Sequence, residues 1–165
     1  MNATPVAEPA TAQGRLGEWT ANLVRLGRQS FVIAVSEPTR IGLVIEAAPY
    51  RTLTERFLGD LSLLLFDLGV AGDLIEDELL RMRPVEVATS NSKSVLGTIN
   101  EFALHIEWAF RDGSAVTARG MTRHLSKMIV CKPANVGFPA NRVREAFGLP
   151  LLQHVFSKHL TDPVL

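Results

Sequence analysis

The hydrophobic period of this chain changes at Pro49, and that change splits the sequence into a sheet-forming part and a helix-forming part. Before Pro49 the apolar runs are short and separated by turn residues. Trp19, Ala21 and Leu23 alternate with Glu18, Thr20 and Asn22, the period-two signature of a half-buried strand with its odd-numbered residues inward. Ser30 to Val35 is apolar at successive positions, which predicts a strand buried on both sides, and Ile41 to Glu46 supplies a third. Gly27-Arg28-Gln29 and Ser36-Glu37-Pro38-Thr39 are the turns between them. Connections this short cannot carry a crossover, so the three strands are expected to form an antiparallel meander.

After Pro49 the period is helical. Leu53, Phe57, Leu61, Leu64, Leu65 and Leu68 fall on one face, with Thr52 and Glu55 spaced as a capping box and Gly69 placed as the C′ stop. Asp73 opens a second, shorter helix that Pro84 ends, its acidic run Asp73, Glu76, Asp77 and Glu78 reading as a solvated start. Pro84 to Thr89 alternates, with Val85 and Val87 on one side, as a fourth strand would. A long helix follows over Ser92 to Phe110, striped by Val95, Ile99, Phe102, Ile106 and Phe110. Another is expected over Ala115 to Ile129, with Met121, Leu125 and Met128 together, then a loop from Pro133 to Pro139. Asn141 to Phe147 and Leu151 to His159 read as short terminal helices. The predicted fold is α+β: a small antiparallel sheet, with a three-strand N-terminal meander plus one later strand, and several helices packed on one face.

At 165 residues, 47% hydrophobic and 21% charged, the chain has the size and composition of one globular domain. Residues 1–14, rich in Ala, Pro and Thr without periodicity, are expected to be a disordered tail before a single α+β domain over 15–165. One cysteine, Cys131, allows no internal disulfide and suits a reducing compartment, and the residue is expected to be a packed thiol. The longest apolar runs are far short of a membrane span, and the N-terminus lacks the pattern of a signal peptide, so a cytoplasmic location away from the membrane is expected. The formal net charge is zero but unevenly spread: residues 46–86 carry a balance of −5 and residues 111–144 one of +6.

The most distinctive stretch is Thr89-Ser90-Asn91-Ser92-Lys93-Ser94-Val95-Leu96-Gly97-Thr98-Ile99-Asn100-Glu101-Phe102. It resembles the hallmark of an uncharacterised prokaryotic family, known as a domain of unknown function, whose motif reads roughly Asn-Ser/Asp-Arg-Ser-Val-Leu-Gly-Ser-Met-Asn-Asp-Phe. Gly17 to Leu23, Arg28 to Val32 and Leu125 to Pro139 share the likeness, which therefore covers most of the chain after residue 14. Lys93 stands where the family has Arg, and Thr98-Ile99 replaces Ser-Met. The resemblance implies a bacterial protein and a shared fold, and it brings no activity or catalytic residue.

Physically the motif is a strand-to-helix junction, with Asn91 or Ser92 as N-cap. Gly97 inside a helix costs about 1 kcal/mol relative to Ala, so a close neighbour is expected there. Asn100 is expected to satisfy a buried backbone group, and Phe102 to sit in the core. The same junction also reads as an anion site, in which Asn91, Ser92, Lys93 and Ser94 converge with free helix N–H groups on a phosphate. The basic residues Arg119, Arg123 and Lys127 recur at i, i+4 and i+8, a stripe suited to a polyanion or to an acidic partner surface. Glu101, His105 and Trp108 share a helical face, where the carboxylate and imidazole could orient a general base or hold part of a metal site but are expected to be an exposed salt-bridged pair, since no second ligand cluster is evident and His154 and His159 fall on different faces.

No metal, cofactor or catalytic residue is therefore assigned. Three functional readings stand: a non-enzymatic protein-binding or regulatory module, a nucleic-acid or anion binder acting through the basic helix face, and an enzyme acting on a phosphorylated small molecule at the 91–94 junction.

Overall fold

The computed structural model describes residues 11–89 and 92–152. Three strands, β1 (Trp19–Leu26), β2 (Gln29–Ser36) and β3 (Gly42–Glu46), form an antiparallel sheet in the order β1-β2-β3. Five helices follow: α1 (Leu53–Asp67), α2 (Gly72–Arg81), α3 (Lys93–Arg111), α4 (Ala118–Ser126) and α5 (Pro139–Ala146). The α+β reading and the meander hold. The predicted helix over Leu151 to His159 lies largely outside the described residues, as do residues 1–10 of the expected tail.

Register explains the architecture. Trp19, Ala21 and Leu23 pair with Ser36, Ala34 and Val32, and Ala34 and Val32 pair in turn with Leu43 and Ile45, so these residues share one face. Val24, Phe31, Ile33, Val35 and Val44 lie on the other. That second face packs on α3 through Val95, Ile99, Phe102 and Ile106, and on α4 through Met121 and Leu125. Leu43 and Ile45 on the first face pack instead with Leu61, Leu64 and Leu65 of α1, Ile75 of α2 and Val143 of α5. Helices therefore cover both faces, not one. The reason is that β2 is apolar at successive positions, and each of its faces must be removed from water.

Strand β1 is inverted relative to expectation. Thr20 and Leu26 are its buried residues, whereas Ala21 and Leu23 are exposed. The alternation is present in the sequence, but the even-numbered side meets α3. Pro84 to Thr89 joins no ladder among the described residues, so the fourth strand is not formed. Both free edges of the sheet belong to β1 and β3, and the β3 edge is occupied by α4. There Thr122 Oγ accepts from the Val44 N–H at 2.9 Å and donates to the Val44 carbonyl at 3.4 Å. The predicted 115–129 helix shortens to α4 because Thr117 is extended and caps the Gly120 N–H, while Lys127 and Met128 bond back three residues at the other end.

Local signals succeed unevenly. Gly69 stops α1 with φ +83°, and the guanidinium of Arg144 on α5 donates to the Leu68 carbonyl at 2.6 Å. Thr52 precedes α1, but its hydroxyl bonds the Pro49 carbonyl and Arg56 instead of capping, so no capping box forms. Gly97 and Asn100 are both exposed, and a Cβ on Gly97 would meet nothing within 4 Å. The close approach expected there occurs at Gly42, where a Cβ would lie 2.8 Å from the ring of the fully buried Phe102 and 3.2 Å from Leu125.

Phe102 and Gly42 thus form one packing unit. Phe102→Ala is expected to cost about 3–5 kcal/mol and Gly42→Ala about 1–3 kcal/mol. The double variant is expected to lose less than the sum, since the added methyl enters space the ring vacates. Urea melts of the four proteins measure this coupling.

Candidate functional site

The helices that cover the first face lie mainly on the β3 side, and residues 83–89 flank the β1–β2 side. Between them lies a cleft of about 850 Å³. Its floor is Trp19, Val32, Ala34 and Ile45, and one wall is Leu53 and Phe57 at the start of α1. Residues 83–89 cross it as the opposite wall, with Val85 and Val87 partly open to solvent. Trp19 packs edge-on against Phe57, ring centroids 5.2 Å apart. Its indole N–H is buried without a hydrogen-bond partner, an uncommon condition for a group that usually finds one.

A charged clamp holds the mouth of the cleft. The carboxylate of Glu78 is only 1% exposed and accepts from the backbone N–H groups of Arg15 at 2.8 Å and Leu16 at 3.0 Å. This docks the segment leading into β1 onto α2, and the neighbouring Thr11, Gln13 and Gly14 line the cleft. Glu78 is therefore buried and structural, not part of a solvated helix start. Beside it Asp77 accepts from Arg81 at 2.9 Å and Arg15 at 3.0 Å. Those bonds, Arg81 first, hold its carboxyl below the ordinary carboxylate value.

At the other end of the cleft Ser92 precedes α3, but its hydroxyl donates to Glu37 Oε1 at 3.3 Å and does not cap the helix. Lys93 and Ser94 occupy the exposed first turn. Ser94 Oγ accepts from Nη2 of Arg40 at 3.1 Å. Arg40 is 6% exposed, and its Nε and Nη1 have no acceptor. Among the described residues it is the non-glycine residue with positive φ, +60°. Of the four residues expected to form an anion site, Ser92, Lys93 and Ser94 therefore cluster at the helix start, and Asn91 lies outside the described residues. Arg40 was not legible: a single arginine after Pro38-Thr39 carries no motif, and only folding brings it to a helix 54 residues away.

The basic stripe has the expected geometry, with Met121 and Leu125 inward and Arg119, Arg123 and Lys127 outward. Asp67 at the end of α1 faces two of its members, 3.5 Å from Arg119 and 3.4 Å from Arg123. That stripe is thus partly neutralised within the chain. Glu101 is exposed, and His105 stacks edge-on with Trp108, centroids 6.0 Å apart. His154 and His159 lie outside the described residues. Cys131 is exposed rather than packed, because it follows the end of α4 on a loop. Among the described residues no group of three His, Cys, Asp or Glu side chains could hold a metal ion, and no helix is long and apolar enough to cross a membrane.

Comparison with known proteins gives a family but no relative of established activity. A family model described as "Domain of unknown function (DUF6933)" matches residues 1–142. No curated protein and no solved structure matches.

The clamp carries a pH prediction. A carboxyl whose folded pKa is depressed contributes stability that is present above its ordinary value and is lost as the pH falls through the lowered one. The Asp77 carboxyl is expected to titrate below the ordinary carboxylate range and to move up toward it in Arg81→Gln. The carboxyl ¹³C shift followed from neutral to acid pH measures both.

Proposed function

The chain belongs to the family of the domain of unknown function DUF6933, and we propose that it is a non-enzymatic binding module that takes an extended apolar segment of a partner protein into the cleft on the open face of β1 and β2. The observation that carries this reading is the cleft itself, a concave, largely apolar site with one unused buried donor at Trp19. Three features support a peptide over a compact ligand. The floor is a pleated sheet face, whose side chains repeat at the period of an extended chain. The wall at residues 83–89 presents Val85 and Val87 to solvent, and the neighbouring β1 is an edge strand with Ala21 and Leu23 exposed. No set of acid, base and nucleophile converges on the cleft. Of the ionic side chains that line it, Arg81, Arg83 and Glu37 are engaged with Asp77, Glu55 and Ser92.

The test uses the two tryptophans. In Trp108→Phe, Trp19 is the sole indole reporter. Peptides selected from a displayed library are expected to change its emission saturably, with affinity falling at least about tenfold, or 1.4 kcal/mol, in Ala21→Glu and in Val87→Asp. Both substitutions fall on exposed positions, so the fold is expected to be retained. Equal peptide binding by the reporter protein and both variants overturns the assignment of the cleft.

A further inference from the structure

We propose a phosphate-binding site at the N-terminal turn of α3, with Arg40 as its inner wall and Ser94 and Lys93 at its opening. It goes beyond the peptide cleft and does not rest on it. The argument is one of unbalanced charge. A 19-residue helix presents the positive end of its dipole and several unpaired N–H groups at its start. A negatively charged group belongs there, yet the side chain that arrives is a guanidinium. Arg40 donates Nη2 to Ser94 Oγ at 3.1 Å, while Nε and Nη1 are buried with no acceptor at all. The carboxylate on the same turn, Glu37, makes no ion pair with Arg40 and accepts from Ser92.

Burying a cation beside a helix N-terminus is unfavourable on both counts, and one dianion resolves both. A phosphate group matches the donor set: a planar guanidinium, a serine hydroxyl, first-turn N–H groups and the exposed Lys93 ammonium. The Ser92 hydroxyl is not in the set, since it is already engaged by Glu37. Because Ser94 and Lys93 are exposed, the anion enters from solvent on the Ser94 side, where Nη2 of Arg40 is engaged. No bond is made or broken; the site holds.

Inorganic phosphate titrated into the ¹⁵N-labelled full chain, with chloride at matched ionic strength as the control, tests this. The amides of Lys93, Ser94 and Val95 are expected to shift saturably with phosphate and not with chloride, and the melting temperature to rise with phosphate concentration. Arg40→Gln is expected to melt no lower than wild type in phosphate-free buffer, since it removes an uncompensated buried charge, and to bind phosphate at least about tenfold more weakly. A merely structural arginine predicts the reverse, a fall in melting temperature with phosphate binding unmoved. Should Arg40→Gln fail to fold, the exposed Ser94→Ala serves, with several-fold weaker binding expected. Glycerol phosphate in a parallel titration separates the sources: tighter binding than inorganic phosphate assigns the site to a phosphomonoester, and equal binding to free phosphate. Absence of a saturable shift at residues 93–95 in wild type, or unchanged affinity in either folded variant, overturns the site.

Discussion

Strand β2 has no polar face, and the rest of the molecule is arranged around that constraint. Phe31, Ile33 and Val35 point one way and Val32 and Ala34 the other, all shielded from water. A three-stranded sheet cannot hide both sides by itself, so α3 and α4 take one face while α1, α2 and α5 take part of the other. Each buried Val, Ile, Leu or Phe contributes about 1.5–3 kcal/mol, which makes this two-sided coverage the dominant stabilising term. The Phe102 ring fits only because residue 42 has no side chain, and the resulting approach of α3 and α4 lets Thr122 reach the free edge at Val44.

The candidate sites come from what that coverage leaves undone. On the first face the helices cover Leu43 and Ile45 and touch β1 at Trp19, while residues 11–14 and 83–89 line a cleft with Val32 and Ala34. At its far end the β2–β3 turn must enter the sheet at Gly42, which drives Arg40 inward against α3 and leaves its guanidinium without a counter-charge. Both places contain buried donors that the chain does not satisfy: the indole of Trp19 and two nitrogens of Arg40. Buried polar groups ordinarily find partners, and both proposals rest on these exceptions.

Legibility followed the range of the interaction. Phe102 was readable as core because α3 repeats its apolar residues at helical spacing, and Gly69 was readable as a stop because a C′ glycine is a local matter. Gly97 misled: an in-helix glycine suggests a close neighbour, but the neighbour of Phe102 is Gly42, in a strand 60 residues earlier. Asn100 faces water for the same reason, that the sheet meets the opposite side of α3. Glu78 resembled its exposed acidic neighbours until the fold brought the N–H groups of Arg15 and Leu16 to it. At the start of α3 the serines and the lysine stand in a row in the sequence, but the buried arginine that meets them comes from a turn 54 residues earlier.

Period and punctuation alone therefore determined that this chain makes a meander followed by helices, because strand alternation, helical stripes and turn residues act over a few neighbouring positions. They also determined that Phe102 of α3 would sit in the core. Tertiary structure decided which side of β1 is buried, since alternation specifies two faces but not the one a helix will meet. It decided that Pro84 to Thr89 joins no sheet among the described residues, since a segment becomes a strand only when an edge is offered at hydrogen-bonding distance. And it placed Arg40 at the start of α3, because a long-range meeting of a turn with a helix depends on how two apolar faces pack, and no local pattern encodes that.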